Sequence, residues 1–529
     1  MTRARNVADI IKQPFTTTLG TSNYRAGVNA GNSIVSTSSG GNFNVAVGDE
    51  AGTALTTGDA NVAIGFKALH AEDAHGFNIA IGSGALQRQD AGVDAYNVAI
   101  GSTAGTLITS GIKNTVIGSL ALDKETEGNK TVAIGYQALT NQDMGADTDT
   151  FNVAIGFNAG VSVSTGVQNT FVGAQAGDST DDGQFNVAVG YLALSGNCGD
   201  NNTAVGHRSL LATTGGLNTA LGKEAGTTLS SGQRNTFVGS LAGNTASTME
   251  DSVAVGNDAG LFATTAHSSV FIGADAGQGI TGTKLTANEN TCVGAQAGLI
   301  LQGDACAKNT LVGFAAGKVI TTGAKNTMIG DRAGDVTSTG GGNVVIGTTC
   351  DTNAAGTSNS IVMGEGATGV GANNFTFGNG GTDSNIAFGA EEVTAPSDQR
   401  YKEDIADATA GLAFIKDLRP VTFKWKKEKD VPSDHPAYKE GSDKRVMLSS
   451  GETNHGFIAQ EVKTAIDNHS EIKDGFRMWS EQGLDEDGNS TGGRQRLGSV
   501  ALIPILVKAI QEQNALIVAL TARVATLEG

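Results

Sequence analysis

The sequence predicts a mainly β protein: a long β-roll or β-solenoid built from coils of about 17 residues, followed by a smaller α+β domain that closes in a heptad helix. Three observations predict it. A step of the form N-[VT]-x-[VI]-G returns through most of the chain, glycine reaches 75 of 529 residues while proline is only 6, and the composition changes abruptly near residue 390. Glycine is about twice as frequent as usual without a Gly-X-Y period, which excludes collagen and argues against a mixed globular enzyme. A chain of this length subdivides, because single cores stop growing beyond ~250–300 residues.

Residues 1–40 stand ahead of the repeat as an N-terminal segment, in which "NVADIIK" reads as a short docking helix. The opening "MTRARNVADIIKQP" has no apolar core with a cleavage site, and no run of 18 apolar residues occurs. Neither a secretion signal nor a membrane anchor is therefore expected.

The repeat fills residues 41–390. Its central glycine occurs twenty-one times from Gly48 to Gly389, most often 17 residues apart, with a contraction to 14 and then 11 at the end. The residue before the glycine is apolar (Val47, Ile64, Ile117, Val238), and the residue two earlier is usually Val or Thr. That alternation is a short strand, and because the position between is also small or apolar (Ala46, Ala63, Phe171, Met328), both faces are expected to be buried. Asparagine stands four before the glycine in seventeen of the twenty-one copies, with Thr131, Ser252, Ser269 and Ser360 as the exceptions. Asparagines stacked at one level can hydrogen-bond from coil to coil. The glycine suits a positive φ or a close backbone approach. A second step, as in Ala51-Gly52 and Ala68-Leu69, reads as a second strand and turn, so each copy is one flattened coil. At ~4.8 Å per coil the stack is on the order of 100 Å long. So thin an interior leaves an apolar face uncovered, and oligomerisation is expected from it.

Beyond residue 390 lysine, glutamate and both tryptophans, Trp425 and Trp479, appear. Residues 391–502 form the α+β domain: "TAGLAFIKDL" at 409–418 has helical apolar spacing ahead of Pro420, and "VTFKW" at 421–425 alternates as a strand does. Residues 503–529 carry Ile503, Leu506, Ile510, Gln513, Ile517, Leu520, Val524 and Leu527 at alternating steps of 3 and 4. This is a coiled-coil seam whose one polar member, Gln513, can set register or strand number; the alternative is an amphipathic helix packed on its own domain.

The formal charge of −18 and the pI near 4.8 disfavour a nucleic-acid partner, which needs a basic stripe. Cys198, Cys292, Cys306 and Cys350 have no zinc-site spacing and read as small buried apolar residues. No cofactor and no metal is expected. The acidic cluster Asp143, Asp147 and Asp149 lacks a regular calcium-loop spacing.

The pattern N-[VT]-x-[VI]-G-x-x-A resembles the head repeat of trimeric autotransporter adhesins, which implies a left-handed parallel β-roll assembled as a homotrimer. The secretion signal and C-terminal anchor of those adhesins have no counterpart here. "SDQRYKEDI" at 397, "GLAFIKDLRPVTFKWK" at 411, "HGFIAQEV" at 455 and "LIPILVKAIQE" at 502 together resemble the C-terminal intramolecular chaperone of phage tailspikes and tail fibres. That domain is also known as peptidase S74 and is shared with the myelin regulatory factor family. This sequence departs from the family pattern at Tyr401, where an aliphatic residue is common, and lacks an obvious tyrosine just before Leu502.

The resemblance implies self-cleavage at the Pro396–Ser397 bond, with Ser397 as nucleophile and Lys402 as general base; Asp398 and Arg400 are candidates to shape the site, and His455, in a matching motif, is a candidate to assist whose alternative is a structural histidine. A serine hydroxyl needs a base, and a lysine serves only where burial or a nearby cation lowers its pKa from about 10.4. The local alternative is that Ser397-Asp398 caps a short helix and Lys402 is a solvated charge.

The expectation is a phage tail fibre or tailspike-like protein, made in the host cytoplasm and resident in the virion. Residues 1–40 would join a tail or baseplate protein, and the long coils at 83–96, 139–151 and 274–290 would meet a host receptor, glycan or protein. Neither nucleic acid nor membrane insertion is expected. The alternatives are a bacterial trimeric surface adhesin and a polysaccharide-degrading tailspike, which needs paired carboxylates beside aromatic platforms. A cellular regulator freed by the same cleavage needs a membrane span and a basic DNA-binding domain, and neither is seen.

Overall fold

The computed structural model describes residues 22–35, 40–380, 383–388, 399, 403–433, 438–446, 453–473, 476, 478–481, 495–498 and 500–528. The chain divides between Pro396 and Ser397 into two compact units.

The first unit is a β-solenoid. Its strands run from β1 (Tyr24–Ala26) to β20 (Ile361–Met363), each three residues long, followed by the four-residue β21 (Asn374–Phe377) and β22 (Ser384–Ala387). Each strand to β21 pairs in parallel with the next in sequence, in register, so that Ala46 lies over Ala63 and Ala63 over Ala80. From β2 to β20 the strand's middle side chain points inward and is buried, as at Ala46, Phe171 and Met328, whereas β1 is exposed throughout. The flanking residues point outward and are half-buried, with Ile100 and Leu221 exposed. The expectation of two buried faces thus holds for one face only in a single chain.

The central glycine meets both of its expected reasons. At Gly190 φ is +135°, and an added Cβ would lie 2.6 Å from the carbonyl oxygen of Gly206 in the next coil. The asparagine ladder is internal: Asn44, Asn61 and Asn78 are fully buried. Each side-chain oxygen accepts the backbone N–H of the next ladder residue, as in Asn61 N to Asn44 Oδ1 at 2.8 Å and Asn78 N to Asn61 Oδ1 at 2.9 Å. The amide nitrogen commonly donates to a carbonyl about fourteen residues on, just before the next ladder residue, as from Asn44 to Gly58 O at 2.8 Å. Ser252 keeps the ladder going because its hydroxyl oxygen accepts from Ser269 N at 3.1 Å.

Two parts of the repeat differ from the sequence reading. The second step in each coil is a run of turns instead of a strand. Lys67 and Leu69 both have left-handed φ, near 55° and 49°, and alternate residues in that region cannot make an extended segment. These turns still bond between coils, Glu50 N to Val28 O behind and Gly52 N to Ala68 O ahead, which satisfies their backbone groups. The repeat also starts earlier, at Asn23, inside the segment set aside as 1–40: β1 pairs with β2 (Val45–Val47), and Asn44 N donates to Asn23 Oδ1 at 2.7 Å. At the far end the copy ending at Gly389 is no coil. Its β22 runs antiparallel to β21, because eleven residues are too few to go round once, and the hairpin covers the last sheet edge.

The second unit carries α1 (Leu412–Asp417), β23 (Val421–Phe423), β24 (Asn454–Gly456), α2 (Ala459–Asp467), β25 (Trp479–Glu481), β26 (Gln495–Leu497) and α3 (Leu502–Glu528). Strands β23 and β24 pair antiparallel, as do β25 and β26. The core gathers Phe414 and Leu418 with Val462, Ala465 and Ile466 of α2 and Leu502 and Ile505 of α3. The fold class is therefore that of the sequence reading: a mainly β solenoid followed by an α+β domain.

Candidate functional site

The described residues include three of the four motifs quoted for the C-terminal region, and they converge. From 411 onward the chain makes α1 and β23, from 455 it makes β24 and α2, and from 502 it makes α3. Gly411 precedes α1 and lies against Glu512, whose carboxylate would be 2.5 Å from a Cβ placed there. Glu512 Oε2 in turn accepts the backbone N–H of Leu412 at 2.8 Å, placing an anion at the helix N-terminus. Arg419 and Glu461 form a two-pronged pair joining the segment after α1 to α2, which holds the Glu461 carboxyl below its usual range through the Arg419 hydrogen bond. Both are exposed, so the pair orients more than it stabilises.

Phe414 is fully buried and meets Phe476 and the His469 ring edge-on, at 5.7 and 5.4 Å between centroids. His469 Nε2 lies 2.8 Å from Asp417 Oδ2 and its Nδ1 lies 3.0 Å from Glu471 Oε1. Those carboxylates, Asp417 foremost, raise the imidazole pKa above its ordinary value. Sequence reasoning missed this group, because nothing in the spacing of Asp417 and His469 reveals that α1 and α2 bring them together.

Helix α3 has two apolar faces. Leu502, Ile505 and Ala509 are buried against the domain, while the heptad residues Ile503, Ile510, Ile517, Leu520, Val524 and Leu527 are exposed. The seam is therefore not the face that packs on its own domain. Pro504 is tolerated in the first turn, where the backbone N–H has no intrahelical partner.

Of the sequence-assigned site residues, His455 is described: it lies on β24 opposite Thr422, exposed to solvent. Pro396, Ser397, Asp398, Arg400 and Lys402 lie outside the described residues. The three aspartates weighed for calcium do not converge. Asp143 accepts from Thr126 Oγ1 at 2.7 Å, Asp147 accepts from Asn129, and Asp149 pairs with Lys130, all in the preceding coil. The four cysteines are free and buried, as read, and burial pushes the Cys306 and Cys350 thiols up to about 11.

Comparison with known proteins places a family on this region. Residues 397–471 match the peptidase S74 family, described as the chaperone of endosialidase. The match begins at Ser397, the residue at which the second compact unit begins. No curated protein matches the chain. The chain is thus a β-solenoid with a C-terminal domain of the endosialidase-chaperone kind.

Proposed function

We propose that this chain is the fibre or tailspike-like adhesin of a virus tail, assembled as a homotrimer and aligned by its C-terminal unit, which then cuts itself free at Pro396–Ser397. The observation that carries the reading is the coincidence at Ser397 of the family match with the start of the second compact unit. A processing site between two independently folded units separates them without breaking either core.

Two uncovered apolar surfaces support the trimer. The last residue of each strand from β2 to β19 is Val, Ile or Leu and these make an aliphatic stripe, while the first is Val, Ile or Thr; aromatics such as Tyr96, Phe151 and Phe157 are also exposed on the coils. The exposed seam of α3 makes a second. That helix is also long and apolar enough to cross a membrane. The polar run Gln511-Glu512-Gln513-Asn514 at its middle, and the burial of Leu502, Ile505 and Ala509 in the domain, favour a coiled coil.

In the cleavage step Ser397 Oγ attacks the carbonyl carbon of Pro396 as Lys402 takes the hydroxyl proton. The acyl group passes from nitrogen to oxygen, the amine of Ser397 leaves with a proton, and water hydrolyses the ester. Host contact is assigned to the long coils at 83–96, 139–151 and 274–290. Their extra residues all fall between the turn run and the ladder residue, hence on one edge of the stack.

The test is the denatured mass of the recombinant chain beside Ser397→Ala and Lys402→Ala. Fragments 1–396 and 397–529 from the wild type, with both variants whole, are expected. A wild type that stays whole while forming trimers in native mass spectrometry would make the C-terminal unit a permanent cap and remove the catalytic roles.

A further inference from the structure

We infer that the solenoid carries a divalent transition-metal site, of the kind that takes Zn²⁺, built by Glu72, Asp73 and His75 of one coil and Asp90 of the next. One ligand atom from each of the four lies within 4.8 Å of those of the others. The decisive member is Glu72, which is fully buried. Its Oε1 accepts the backbone N–H of His75 at 3.2 Å, while its Oε2 has no hydrogen-bond partner. His75 Nδ1, 3.4 Å from Glu72 Oε1, is also buried and makes no hydrogen bond. The bare Oε2 of a buried carboxylate is costly unless something binds it, and His75 Nδ1 meets only Glu72 Oε1, as an ion pair when the imidazole is protonated.

The repeat supplies an internal control. Glu125 holds the same place as Glu72, seven residues after the coil's glycine, and is equally buried. There both carboxylate oxygens are satisfied: Oε1 accepts from Gly128 N at 2.7 Å and from Thr126 N at 3.0 Å, and Oε2 accepts from Gln142 Nε2 at 2.8 Å. Gln142 comes from the next coil. At the Glu72 site the corresponding residue is Gln89, and it is turned away, donating to Thr109 O at 3.0 Å and accepting from Asn97 at 2.6 Å. Where the Glu125 coil has Gly128, this one has His75. Asp90 corresponds to Asp143, which is spent on the Thr126 hydroxyl, and Asp73 stands where Thr126 does. The amide that neutralises one buried carboxylate is thus replaced at the other by an imidazole and two further carboxylates.

The donor set selects the ion. One imidazole nitrogen and three carboxylate oxygens suit four-coordinate Zn²⁺, whereas Ca²⁺ takes six to eight oxygens. Bonds of about 2.0–2.2 Å place tetrahedral donors about 3.3 Å apart, so the cluster closes slightly on loading. Asp73 and Asp90 are exposed and free to rotate inward, while the buried Glu72 stays put. A cation at the bare oxygen of the buried Glu72 would compensate its charge and tie two successive coils together.

The test is calorimetric titration of the untagged full-length chain, first dialysed against a chelator, with ZnCl₂ and separately with CaCl₂. One Zn²⁺ per chain is expected at this site, with affinity at least tenfold weaker in Glu72→Gln and in Asp90→Asn and unchanged in Glu125→Gln. Glu72→Gln keeps the shape of the buried side chain, and Asp90→Asn changes only an exposed one, so folding is preserved in at least one of them. A chain that takes up no Zn²⁺, or Zn²⁺ uptake equal in both variants and the wild type, overturns the site. Tighter Ca²⁺ than Zn²⁺ binding overturns the choice of ion.

Discussion

In the solenoid most coils bury one strand side chain, a ladder residue and two or more residues of the turn segment, and the coils above and below supply nearly the same contacts again. In the C-terminal unit Phe414 lies among Leu418, Val462, Ile466 and Leu502, contributed by three helices, each contact made once. The difference bears on register. A solenoid chain displaced by one coil against its neighbours loses little, since Ala63 meets much the same surroundings as Ala80, whereas the C-terminal core has a single solution. The repeat thus leaves its register open where the C-terminal unit, whose contacts do not repeat, fixes its own.

Unfolding separates the two regions, because both tryptophans lie in the C-terminal unit and most of the strands lie in the solenoid. Phe414→Ala should have the largest effect, about 3–5 kcal/mol, the usual cost of emptying a fully buried aromatic site. Tryptophan fluorescence in guanidinium should shift to lower denaturant while the β signal in circular dichroism stays in place. Gly190→Ala should do the reverse. Its φ of +135° strains any L-residue, and the added methyl meets the Gly206 carbonyl, for a combined cost of about 3 kcal/mol. The circular-dichroism transition should then fall and the fluorescence transition hold. Joint movement of both signals in either variant would mean that the two units unfold as one.

The strands, the buried ladder and the glycine of the solenoid were legible because a fixed period forces each residue type to meet its own kind. The turn run was misread because left-handed φ at residues such as Lys67 and Leu69 leaves no mark in a sequence of ordinary side chains. The first coil escaped because "NYRAG" puts Tyr24 and Ala26 where Val and Ile are usual. The Glu72 cluster escaped because its fourth member, Asp90, comes from the next coil, and nothing in a sequence with many acidic residues marks which of them the turns bring together. In the C-terminal unit the heptad seam was legible, yet the second apolar face of α3 was hidden in it, since Leu502 and Ile505 adjoin Ile503 and Leu506. Ser397 and Lys402 rest on the motif alone, for they lie outside the described residues.

The smallest effect sharpens the comparison by pH. His469, one of the seven histidines, is clamped between Asp417 at the end of α1 and Glu471 just beyond α2, with Phe414 against its ring. Because these carboxylates raise its folded pKa above the ordinary value of 6.5, the charged imidazole favours the folded state. That contribution is complete below pH ~6.5 and is lost as pH rises through the elevated folded value. The fluorescence midpoint should therefore decline above neutrality and His469→Gln should remove that decline, with the circular-dichroism midpoint following a different pH course. An undiminished slope in His469→Gln would mean that another group ties α1 to α2, and that the Asp417–His469–Glu471 cluster only decorates a junction already held by Phe414.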